Sequence, residues 1–351
     1  MVQSDRKPII MLDSGAYSAR YSGAAIDLDE YIEFLQAHQE RFKGGVINLD
    51  VIDDGRSSYQ NWRRIRRAGI DAIPVYHLGT EEEWLAKYLE EADYVALGAI
   101  VKLSSSLRIR GLDRIWDQYL IDSKGVPTHK VHGLGLTSNE IVSRYPWYSV
   151  DSATCIKHAS YGGILMPRLT VEGNNVEPDF RHLDLLAVSD QRAHYVGKAS
   201  AFYSLPLMVK ERIQRFCSDL GFQISDSIEG RTLRPRRSRK GEVRDREFDL
   251  GLYLPESADQ TDNGEEQQTL STSYVQRIAF NAEIWNRLLR YLELQGRPLK
   301  MYHVTGETAQ AKMLVAQANK GDILPRLLLS YHNLKTRKKL RELALGGWNE
   351  D

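Results

Sequence analysis

Six short apolar runs in the first 155 residues constrain this chain most: PIIMLDSG (8–15), GVINLDV (45–51), AIPVYHLG (72–79), YVALGAI (94–100), HKVHGLGL (129–136) and WYSVDSA (147–153). Each has strand length and is rich in Val, Ile and Leu. None alternates cleanly between apolar and polar, which is the pattern of parallel strands covered on both faces. Helical segments lie between them. DLDEYIEFLQAHQERF (27–42) opens at Asp27 and sets Leu28, Tyr31, Ile32 and Leu35 on one face. YQNWRRIRRAG (59–69) stops at Gly69. EEEWLAKYLEEA (81–92) begins with acids, which suit the positive end of a helix dipole. Strand–helix alternation with right-handed crossovers gives a barrel or a doubly wound sheet.

Six strands do not close an eight-stranded barrel, and the far end of the chain supplies two more. PLKMYHVTG (298–306) reads as a strand, ETAQAKMLVAQANKG (307–321) as a helix, ILPRLLLSYHN (323–333) as a strand and LKTRKKLRELALGG (334–347) as a helix. The expected fold class is therefore α/β, a (β/α)8 TIM-like barrel. The 351 residues exceed the about 250 such a barrel needs by roughly 100. The reading divides the chain into 1–204 (six βα units plus an extension), 205–297 (a helical insertion) and 298–351 (the closing βαβα unit). Amphipathic helices over 205–221 and 273–296 bracket a charged stretch, about 224–272, expected to be a mobile loop. Within it RTLRPRRSRKGEVRDR (231–246) carries eight basic residues and two acids, and PESADQTDNGEEQ (255–267) carries five acids and no base.

With 42 % apolar residues, 27 % charged residues and 47 Lys+Arg against 47 Asp+Glu, the chain is no disordered, collagen-like or single-sign polymer. It has no run of 18 apolar residues, and no signal-peptide core follows the first Lys, so a soluble cytoplasmic protein is expected. Cys155 and Cys217 alone build neither a disulfide framework nor a four-ligand zinc site. Zero net charge leaves polyanion binding open, because clustering decides it. Arg231, Arg234, Arg236, Arg237, Arg239 and Lys240 are one set of candidate phosphate contacts. Lys335, Lys338 and Lys339, with Arg337 and Arg341, are another on the last helix. The alternative for either set is a solvated charged face.

In parallel α/β barrels chemistry gathers at the C-terminal ends of the strands. Those ends here carry Asp13, Asp50, His77, Gly98 with Ala99, His132 and Asp151, so three carboxylates from three strands are expected at one rim. A single such carboxylate is as well explained by capping the next helix. Three in one pocket push their pKa values apart and so separate a proton donor from a nucleophile. Asp53 and Asp54 read as loop or N-cap residues, and Tyr302, His303, Tyr331 and His332 end the two late strands near the same rim.

MLDSGAYS (11–18) resembles the Asp-Ser-Gly-Gly-Tyr/Phe-Gln motif of the tRNA-guanine transglycosylases, and five further segments follow in the family's order. INLDVID resembles the strand with a base-recognising Asp, VYHLG sets His77 where the family has Gln, and ALGAIV resembles its Gly-Gly-Leu turn. VHGLGL is similar to Met-Gly-Val-Gly, and YSVDSATC to the strand of the nucleophilic Asp. MYHVTG and LLLSYHNL resemble the family's first two strands, which implies a barrel circularly permuted relative to it. The Asp-Ser-Gly-Ala-Tyr-Ser variant is most similar to the DNA-guanine transglycosylase (DpdA) branch, found in phages and in bacterial DNA-modification clusters. The family's three-Cys, one-His zinc motif is absent, and SATCIKHASYGG (152–163) replaces its Arg-containing loop.

The resemblance implies a pentosyltransferase that exchanges guanine in DNA for a free 7-deazaguanine such as 7-cyano-7-deazaguanine. Asp151 would be the nucleophile, forming a glycosyl ester at C1′, and Asp13 the general acid/base. Tyr17 would stack on the base with His132 opposite, and Asp50 would accept from N1–H and the 2-amino group. His77 and the backbone at Gly98, Ala99 and Ile100 would face the 6-oxo group and 7-substituent, with Ser14 helping to orient the base. No cofactor or metal is called for. The alternatives are a tRNA-guanine transglycosylase, a non-catalytic nucleic-acid-binding accessory subunit, and a barrel metal hydrolase using His77, His132 and Asp residues.

Overall fold

A computed structural model describes residues 6–17, 19, 23, 25–98, 104–136, 138–172, 175–189, 200–225, 268–346 and 348. The chain forms two compact units, Met1–Ala153 with Leu289–Asp351, and Thr154–Leu288.

The first unit holds nine parallel strand segments: β1 (Ile9–Asp13), β2 (Gly45–Ile47), β3 (Ala72–Ile73), β4 (Val75–His77), β5 (Tyr94–Gly98), β6 (Lys130–Gly133), β7 (Ser149–Ser152), β11 (Lys300–Val304) and β12 (Arg326–Ser330). Among the described residues, the three strands that fall between β7 and β11 in the chain belong to the second unit. The hydrogen-bonded order in the first unit is β3-β2-β1-β12-β11-β7-β6-β5-β4. The two ends of that order, β3 and β4, are consecutive in the chain and separated only by Pro74. Proline has no N–H to give a ladder, so it splits one strand into a half that pairs with β2 and a half that pairs with β5. Counted through Pro74, eight parallel strands close a TIM-like (β/α) barrel.

The late strands lie beside the first, as the sequence predicts. β1 pairs with β12 over five residues, from Ile9 with Arg326 to Asp13 with Ser330, and β11 joins β12 to β7. Round the barrel the strands follow chain order. A permutation therefore concerns only where the resembled family begins its barrel, not the connectivity of this chain.

Local chemistry explains the helices. Asp27 caps Leu28–His38 by accepting from the N–H groups of Asp29 and Glu30 at 2.8 and 3.0 Å. Asp54 caps Gly55–Arg67 through the Ser57 N–H at 2.9 Å, so the helix starts four residues before the apolar pattern shows it. The last helix differs from the expected 334–347. It is two helices, Tyr331–Thr336 and Lys338–Gly346, broken where Arg337 is extended. The expected strand over 323–333 shrinks to Arg326–Ser330, because Pro325 precedes it and Tyr331 already begins a helix.

The second unit contains an antiparallel pair, β8 (Gly163–Glu172) with β9 (Asn175–Ala187), whose register shifts between Pro167 and Arg168. The short β10 (Ser200–Ala201) pairs with β9. The described residues between 154 and 204, assigned by sequence to the barrel's extension, thus belong to this unit. Helix Thr154–Ser160 occupies most of the segment read as a replaced loop. Fully buried Asn281 accepts from the Leu165 N–H at 2.7 Å and donates to the Cys155 carbonyl at 3.2 Å, so one side chain joins helix to sheet. No helix among the described residues is long and apolar enough to cross a membrane.

Candidate active site

Side chains alternate along a strand, and in a closed barrel every second one enters the lumen. Met11, Ile47, Ile73, Val75, Ala96, Tyr302 and Leu328, from seven strand segments, form one buried cluster and mark that inward set. Two residues further along, the same side of each strand presents Asp13, His77, Gly98 and Ser330 at the C-terminal mouth. His132 enters through its register with Ala96, and Asp151 through its register with Tyr302.

Asp13, Asp50 and Asp151 meet here electrostatically. Burial first, and then the charges of Asp50 and Asp151, push the Asp13 carboxyl up to about 7 against the N–H groups of Gly15 and Ser14. The Gly15 N–H donates to Asp13 Oδ2 at 3.0 Å. Among the described residues, no group of three His, Cys, Asp or Glu is arranged to hold a metal ion. The carboxylates are near enough to feel one another.

Each of the other two acids is held by a histidine. Asp50 Oδ2 lies 2.9 Å from His77 Nε2. The Asp53 N–H donates to His77 Nδ1 at 3.4 Å, which leaves Nε2–H as the donor to Asp50. Asp151, 5 % exposed, has its Oδ1 3.1 Å from His132 Nε2 and 3.0 Å from the donating Gly135 N–H. His132 Nδ1 lies 2.5 Å from Ser149 Oγ, which lies 2.6 Å from the Tyr94 hydroxyl.

Glycines make room for this arrangement. A Cβ on Gly98 would stand 2.7 Å from His77 Cδ2, so Gly98 seats the His77 ring. Gly15 has φ +82°, and a Cβ there would lie 2.4 Å from Ser330 Oγ. Ser330 Oγ is buried without a hydrogen-bond partner among the described residues.

Asp13, Asp50, His77, Gly98, His132 and Asp151 therefore come together as the sequence predicts, but both histidines face carboxylates. Ser14 is fully buried, and its Oγ accepts from the Ala16 N–H at 3.3 Å, a local turn contact. Tyr17 is half-buried four residues beyond Asp13. Tyr302 enters the lumen with its ring 6.2 Å from that of His132. His303 follows it to the opposite side, where burial lowers it to about 4. Tyr331 packs on Tyr31 and Phe34, each at 5.0 Å.

Of the basic candidates, Lys335 pairs with Glu30 and Lys338 lies 3.7 Å from Glu342, while Lys339 is exposed. Arg231, Arg234, Arg236, Arg237, Arg239, Lys240, Ala99 and Ile100 lie outside the described residues. A surface pocket of about 700 Å³ lined by Tyr59, Arg63, Arg64, Arg67 and Glu91 shares no residue with the carboxylate cluster. The sequence reading missed Tyr94 and Ser149. Their signal is parity: Ser149 is two residues before Asp151, and Tyr94 two before Ala96, so both face the lumen. Compared with protein families, with curated proteins and with solved structures, the chain matches none.

Proposed function

We propose that this protein is a pentosyltransferase that exchanges guanine in DNA for a free 7-deazaguanine at the mouth of the barrel. One observation carries the reading: at a single rim Asp13 is poised near neutrality while Asp151 is clamped on one oxygen by two donors. A base-exchange step asks for that division of labour between a proton carrier and a nucleophile. An oxygen of Asp151 forms a bond to C1′ as the bond from C1′ to the base nitrogen breaks, and the electron pair leaves with guanine. Asp13, as the acid, gives its proton to that base. The incoming base returns a proton to Asp13, its nitrogen attacks C1′, and the Asp151 carboxylate leaves.

Asp50 has one oxygen committed to His77, and the other accepts from the N1–H and 2-amino groups shared by guanine and 7-deazaguanines. His77 thereby acts on the base through Asp50. DNA is preferred over tRNA on the Asp-Ser-Gly-Ala-Tyr-Ser segment and on a cysteine count of two, too few for the zinc-bearing part of the tRNA enzymes. A guanine in duplex DNA must leave the stack to reach the rim, so single strands should react faster. The test is exchange of labelled guanine and of labelled 7-cyano-7-deazaguanine on DNA and on tRNA. Incorporation into DNA is expected, tRNA-only labelling overturns the choice of substrate, and labelling of neither overturns the reaction.

A further inference from the structure

We infer that Tyr94, Ser149 and His132 form a directed hydrogen-bond relay inside the barrel that pins Asp151 Oδ1 and leaves Oδ2, to which no described residue donates, as the attacking oxygen. Attack by that oxygen rests on the glycosyl-transfer reading above, while the relay rests on geometry alone.

The lumen of such a barrel is ordinarily filled by branched aliphatic side chains. Here His132 and Ser149, both with no exposed surface, occupy part of it. Buried polar groups are costly unless every donor meets an acceptor, and with a neutral His132 imidazole one arrangement of protons satisfies this row. The Tyr94 hydroxyl lies 2.6 Å from Ser149 Oγ and is the donor of that contact once the Ser149 hydrogen is turned elsewhere. Ser149 turns its own hydrogen to His132 Nδ1. That fixes the remaining proton on Nε2, pointing at Asp151 Oδ1. The reverse order would aim an imidazole lone pair at a carboxylate. The Tyr302 ring stands across the His132 ring at 72° and holds its plane.

With Gly135 as second donor, Oδ1 carries two hydrogen bonds, and the described residues give Oδ2 none. The consequence reaches Asp13. A fixed negative charge at Asp151 helps keep the Asp13 proton in place, so the relay sets both halves of the acid–nucleophile pair. His132, Ser149 and Tyr94 are thus positioning residues that act through Asp151.

Imidazole ¹⁵N spectra of the full-length protein test the relay directly. The neutral Nε2–H tautomer is expected at His132, and Ser149→Ala should lose it as a single species. A proton on Nδ1 in the wild type, as the Nδ1–H tautomer or as an imidazolium, overturns the relay whether or not the protein exchanges bases. In base-exchange kinetics, Ser149→Ala should lower kcat by up to about 100-fold with the KM for free base unchanged. Ser149→Thr, which keeps the hydroxyl, should recover most of the loss. A fall in kcat/KM carried by KM alone overturns the positioning role. Should the wild type exchange no base, the glycosyl-transfer reading fails while the tautomer still decides the relay.

Discussion

At the residue scale, Asp13 makes the sharpest claim. Its folded carboxyl titrates near 7 against an ordinary value of 3.8, so the folded state holds a proton that the unfolded chain has lost. Stability should therefore decline as pH rises from about 4 to about 7 and stay level above, by an amount of order 2–4 kcal/mol. Asp13→Asn removes the titration. Urea unfolding should show the variant more stable than wild type at pH 8 and equal to it near pH 4, with base exchange lost. Asp151 makes the chemical claim. Intact-protein mass after denaturing quench should reveal a nucleic-acid adduct on wild type and none on Asp151→Asn. Both aspartates are legible in the sequence because each ends an apolar strand run. The task of the histidines is not, because what His77 and His132 touch depends on Asp50 and Asp151, which lie 27 and 19 positions away.

At the scale of elements, close approaches replace charge as the deciding term. In Gly98→Ala the new methyl would meet the His77 ring at 2.7 Å and displace it from Asp50. The expected outcome is a loss of about 1–3 kcal/mol of stability together with a raised KM for the free base, read by thermal unfolding and steady-state kinetics. Gly15→Ala combines a left-handed φ of +82° with a methyl 2.4 Å from Ser330 Oγ. It should cost more stability than Gly98→Ala and should also impair kcat, because the turn that donates to Asp13 would move. Element identity is largely readable from periodicity. The misjudged pieces have local causes: Pro74 divides a strand, Arg337 divides a helix, and Asp54 starts a helix ahead of its apolar pattern. The β8–β9 pair escapes the pattern because Pro167 and Pro178 interrupt the apolar runs of its two strands.

For the whole molecule, the question is how a chain with no net charge would grip a polyanion. Lys335 and Lys338 are matched by Glu30 and Glu342, which reduces the charge that the last helices offer, while Lys339 stays exposed. The Arg231–Lys240 run is then the stronger phosphate candidate. Replacing Arg231, Arg234, Arg236, Arg237 and Arg239 with Gln should flatten the slope of log K for DNA against log salt by up to about 0.9 for each phosphate no longer neutralised. An unchanged slope in a salt titration would remove that run from the interface.

The sequence by itself determined the number, direction and order of the barrel strands and which polar residues stand at their ends. These follow from side-chain period and chain direction, which are short-range steric properties. Only the tertiary structure decided that the ring closes through Pro74, that the Asp13 carboxyl is pushed well above its ordinary range, and that each histidine belongs to an aspartate. Those outcomes are set by through-space distances in a low-dielectric lumen, between residues that the chain keeps far apart until the barrel has closed.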